Sequence, residues 1–96
     1  MISKDFQRTL AIVSEVTEIV PENILSSCRR MEYVEARVLL IKALSEQGYH
    51  YSQIAKKMNR AIPSVKALLD SFSYRQELNI IFSKLHSEIK RKVQGK

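Results

Sequence analysis

Between His50 and Leu69 the chain places five basic side chains, His50, Lys56, Lys57, Arg60 and Lys66, among apolar residues at regular spacing. Hydroxyls at Ser52 and Ser64 and a proline at position 63 lie in the same stretch. Guanidinium, ammonium and hydroxyl groups around a helix start are the chemistry of phosphate and base-edge recognition. A second basic pair, Arg29-Arg30, precedes another amphipathic run, and Arg37 lies one to two turns inside that run. Other chemistries find less support. His50 and His86 are far apart and the only cysteine is Cys28, which makes no metal-ligand set. No nucleophile stands near a plausible base. A catalytic centre, a metal and a small-molecule cofactor are therefore not expected.

The elements that would position these groups follow from the apolar spacing. Ile54, Met58, Ile62, Val65 and Leu68 recur as two short helices would require, with the small Ala55 where they cross and Asn59 between them. Asparagine tolerates the left-handed backbone of a sharp turn. Pro63 lacks an N–H and fits the first turn of a helix, which predicts a second helix from about Ala61 to Ser71. This is the pattern of a helix-turn-helix, with Ser64, Lys66, Ala67 and the Arg60–Ile62 turn facing outward. Ser52 is a candidate cap for the first of its helices.

Upstream, Phe6, Leu10, Val13 and Val16 mark a helix with Ser3 as candidate cap and an end at Val20-Pro21. "PENILSS" predicts one short turn with Ile24 and Leu25 inward. The run from Ser27 to Gly48 predicts a long core helix with Met31, Val34, Val38, Ile41 and Leu44 on one face, closed by Gly48. Downstream, Leu78, Ile81, Phe82, Leu85, Ile89 and Val93 form one helical stripe ending in Lys90-Arg91-Lys92. The expectation is an all-α, compact domain of five to six helices with a long C-terminal helix. Residues 1–73 would be the helix-turn-helix domain, and residues 74–96 a basic amphipathic helix packed on it or extending from it.

Totals agree with that frame. Ninety-six residues with two Gly, two Pro and no Trp favour one helical domain. One cysteine permits no internal disulfide, and no apolar run suits a leader or a membrane span, so a cytoplasmic, nucleoid-associated protein is expected. The net charge of +6 is lopsided. Residues 1–48 hold six Lys/Arg and seven Asp/Glu, whereas residues 49–96 hold ten and three. Such asymmetry points to an acidic polymer or surface as partner for the second half.

Read outward from this motif, roughly Phe6 to Phe72 resembles the C-terminal DNA-binding domain of the bacterial replication initiator DnaA, a Trp-repressor-like helix-turn-helix. The segments that carry the likeness are "ILSSCRR", "EARVLLIKAL" and "SQIAKKMNRAIPSV". The resemblance implies double-stranded DNA as partner. Arg29, with Arg30 beside it, would enter the minor groove, Arg37 would lie near the backbone, and the main chain at Tyr51 and Ser52 would meet phosphate. The family's Gly-Gly-Arg-Asp-His-Thr-Thr-Val signature corresponds to Asn59–Val65, one residue shorter. Arg60, Ser64 and Val65 match, while the Asp and His are replaced by Ala61 and Ile62. Duplex binding is thus implied without the family's origin-box preference. From the residues themselves, Arg60 is expected at a guanine edge or a phosphate, Lys56 and Lys66 at phosphates, and Ala61 near a thymine methyl. The alternative is a helical interaction module in which residues 74–96 pair with a partner protein or a second copy.

Overall fold

The computed structural model describes the backbone of residues 2–95 and the side chains of residues 5–95. The described residues form α1 (Ile2–Thr17), α2 (Pro21–Leu25), α3 (Met31–Glu46), α4 (Tyr51–Met58), α5 (Ile62–Asp70), α6 (Phe72–Leu78) and α7 (Ile80–Gly95), with no strand among them. The class is all-α with a long C-terminal helix, as expected. The additional segment arises where the terminal stretch divides at Asn79.

Helix α3 is the axle. Ala36, Val38, Leu39, Leu40, Ile41, Ala43 and Leu44 are all buried, so its central turns are enclosed on every side by α1, α2, α4, α5 and α7. The expected face, joined by Leu40 and Leu44 on a neighbouring stripe, is buried through its middle but runs too long at its start, where Met31 is exposed. From α1 come Phe6, Leu10 and Val13, and from α7 Phe82 and Ile89. Two polar links register α1 on its neighbours. Gln47 Nε2 donates to the buried Thr9 hydroxyl at 2.9 Å, and Arg8 donates to the Val93 carbonyl at 2.9 Å near the end of α7. The Arg8 cation thus sits where the helix dipole is negative.

The ends of the helices show which local signals acted. Gly48, at φ 103°, lets Tyr49 N–H bond back to the Leu44 carbonyl at 3.2 Å and closes α3 as expected. Helix α1 instead ends three residues before Val20, with Glu18 in the left-handed region at φ 61°. Ser3 lies inside α1 and does not precede it. Nor does Ser52 cap α4, because the helix opens one residue earlier. His50 is the cap: its Nδ1 accepts from Ser52 N–H at 3.2 Å, while Gln53 Oε1 accepts from His50 N–H at 2.9 Å.

The terminal stripe is corrected in the same way. Asn79 is extended, at φ −138° and ψ 103°, and ends α6. Its Oδ1 then accepts from the N–H groups of Ile81 and Phe82 at 3.0 and 3.1 Å, capping α7. The kink re-phases the helix. Phe82, His86 and Ile89 turn inward, with Leu85 and Val93 against the same core, while Leu78 and Ile81 are left exposed.

Candidate nucleic-acid interface

The turn between α4 and α5 is built as the sequence requires. Asn59 adopts φ 56° and ψ 47°, and Arg60 N–H returns to the Ala55 carbonyl at 2.9 Å, the bond pattern of a left-handed helix stop. Ile54, Ala55, Met58 and Val65 are buried between the two helices, with Leu68 half-buried beside them. Helix α5 then opens at Ile62, preceded by Ala61 in extended backbone, with Pro63 in its first turn. No side chain caps it. Its first N–H groups are left without a side-chain partner, beside exposed Ala61, Ile62, Pro63 and Ser64.

The α2–α3 loop lies against this helix start. Ser27, Arg29, Arg37, Arg60, Ser64 and Ala67 line one open depression between them. Lys57 and Asn59 border a second depression that shares Ser27 and Arg60. Arg29, Arg60 and Ser64 are thus brought together from three separate segments. Lys56 is exposed on α4.

The arginines divide by burial. Arg37 is 3% exposed, and its guanidinium is turned largely to the chain's own acceptors. Its Nε donates to the Ile24 carbonyl at 2.7 Å, and its Nη2 reaches the Asn23 carbonyl and Ser26 Oγ at 3.3 and 3.2 Å. Burial, and secondarily the Arg60 guanidinium, lower its pKa from the ordinary arginine value. The expected backbone contact at Arg37 is therefore replaced by a structural role: the guanidinium satisfies carbonyls freed at the end of a five-residue helix. Arg60 is corrected likewise. Its Nη2 donates to the Ser26 carbonyl, and its Nε is buried without an acceptor. The side chain expected at a base edge or a phosphate fastens the turn to the α2–α3 loop, while it also lines both depressions.

Arg29 and Arg30 are exposed on that loop, and Arg29 lines the same depression as Arg37 and Arg60. Arg30 makes a loose surface pair with Glu32 at 3.5 Å and stacks 5.5 Å from the Tyr33 ring centroid. Arg29 has no ion-pair partner among the described residues. Lys66 projects from the outer side of α5 but is held by Asp70 at 3.0 Å, one turn on. The hydrogen bond that Lys66 Nζ donates to that carboxylate raises the lysine pKa, and the pair leaves the face locally neutral. Ser52 N–H is occupied by the His50 ring, which removes it as a phosphate donor. Tyr51 stands half-exposed at the mouth of α4, 5.9 Å from the Lys66 ammonium.

The chain matches no family model, no curated protein and no solved structure.

Two participants at this surface, Ser26 and Asp70, escape a reading of residue types alone. Ser26 supplies the carbonyl and hydroxyl that the two inward arginines share. Lys57, one of the basic side chains of the motif, borders the second depression. Asp70 restrains Lys66, and its i, i+4 spacing was visible. Among the described residues no group of His, Cys, Asp or Glu could hold a metal ion, and no helix is long and apolar enough to cross a membrane.

Proposed function

We propose that this chain binds double-stranded DNA through its helix-turn-helix. Helix α5 would enter the major groove by its N-terminal turn, and the loop carrying Arg29 and Arg30 would reach the adjacent minor groove. One observation carries the reading. The uncapped, exposed start of α5 opens onto the same depression as Arg29, so backbone donors and a free guanidinium converge on one side.

Roles within the surface follow from direction. Ser64 and the first N–H groups of α5 would take phosphate, while Ala61, Ile62 and Ala67 offer apolar contact to thymine methyls. With Arg60 committed to Ser26, base-edge hydrogen bonding would be sparse. Affinity would then rest mainly on phosphate contacts and groove shape. The likeness of "ILSSCRR" and "SQIAKKMNRAIPSV" to the replication-initiator domain supports a role in replication initiation or regulation, by binding and not by catalysis.

Anisotropy of a labelled random-sequence duplex, titrated with the protein at increasing salt, tests the proposal. Log affinity should fall linearly with log salt, at a slope of about 0.9 per phosphate contact. Absence of binding at low salt, or affinity indifferent to salt, would refute it.

A further inference from the structure

The division at Asn79 leaves an apolar surface that nothing in the fold covers. Tyr74, Leu78, Ile80 and Ile81 are 66%, 68%, 71% and 66% exposed. Tyr74 and Leu78 are four apart on α6, and Ile80 and Ile81 open α7 directly beyond the kink. Together they present roughly 500 Å² of side chain, near the top of the range for the largest patch on a monomer and over half of each partner's share in a standard interface. The patch is also held in place. Asn79 caps α7 through its Oδ1 and extends its amide toward Glu35 on α3 at 3.4 Å, while Phe72 and Phe82 pack at 5.7 Å beneath it. A surface of this size on a fixed scaffold is ready to pair without reordering.

The charges beside it identify the occupant. Glu77 and Lys84 are exposed and lie three residues before Ile80 and three after Ile81. Neither enters an ion pair among the described residues. A twofold axis through the Ile80–Ile81 pair would bring each Glu77 toward the other copy's Lys84, twice per interface. We propose that the α6–α7 junction is a homodimer surface, in which Tyr74, Leu78, Ile80 and Ile81 of two copies pack together between paired Glu77 and Lys84. Such an interface is isologous: one patch complements itself in both shape and sign. The assignment stands apart from DNA binding and does not depend on it.

Sedimentation equilibrium of the 96-residue chain up to about 1 mM tests it. The parent chain should dimerise, and Ile80→Asp/Ile81→Asp should weaken dimerisation by more than about tenfold. Both positions are exposed, so circular dichroism should show unchanged helix content in that variant. Charge exchange then tests the axis. Glu77→Lys and Lys84→Glu should each weaken self-association by about fivefold. The double exchange, or an equimolar mixture of the two single variants, should restore it. A monomer throughout the range overturns the proposal, as does dimerisation indifferent to the isoleucine substitutions. Charge variants that fail to rescue one another would overturn the twofold pairing.

Discussion

The two sides of the α2–α3 loop are both furnished with arginine, and they do opposite work. On the inner side, Arg37 and Arg60 donate to carbonyls of the chain itself, at Asn23, Ile24 and Ser26, with Arg60 Nε left without an acceptor. On the outer side, Arg29 and Arg30 keep their guanidinium groups exposed. One residue type thus builds the loop from within and charges it from without. The difference teaches that a basic motif has two populations of cations, those that shape the surface and those that meet the ligand. Removal of the first should register in stability, and removal of the second in salt-dependent binding.

The sharpest break of that contrast is Arg37→Met. It strips the bonds from a buried cluster of acceptors and should cost about 3 kcal/mol in urea denaturation, with DNA affinity lost only as the fold is lost. Full stability with weakened DNA binding would place Arg37 on the outer side after all. Arg60→Ala should cost about 2 kcal/mol, since a charged donor to the Ser26 carbonyl disappears. Because the loop is then less firmly seated, binding should weaken equally on all duplex sequences. A selective loss on one sequence would restore Arg60 as a base reader.

Arg29→Ala/Arg30→Ala should leave the denaturation midpoint within about 0.5 kcal/mol of the parent while lowering the salt slope by about 2. A large stability change there would erase the inner-outer distinction. The smallest effect sharpens it. Asp70→Asn frees Lys66 from its i, i+4 partner and should raise affinity for any duplex by about twofold, most clearly at low salt. Unchanged affinity would mean that Lys66 lies outside the contact.

Much of this frame was legible in residue types. Pro21, Gly48, Asn59 and Pro63 mark backbone positions that few other residues fill as well, and each lies at a helix boundary in the structure. The core of the helix-turn-helix followed from Ile54, Ala55, Met58 and Val65, because helical period fixes which side chains meet. The start of α4 was missed because Ser52 is the more usual cap. Gln53, reaching back to His50 N–H, was the signal present. The break at Asn79 was hidden because Leu78 and Ile81 are three apart and continue the helical period across it. The arginines were legible as charges but not as directions. Their acceptors are backbone carbonyls of another segment, and the sequence does not name which carbonyls a fold leaves unpaired.

The kink at Asn79 has one more effect. A single extended residue folds the sixteen-residue α7 back over α1 and α3. Were that residue helical, α6 and α7 would run on as one rod, and the arm would seat its Phe82 and Ile89 in the vacant groove of a neighbouring molecule. That reciprocal exchange is domain swapping, for which a short hinge joined to a long, well-packed arm is the usual starting point. Asn79 therefore sets the direction in which the terminal arm leaves α6 and returns over α1 and α3.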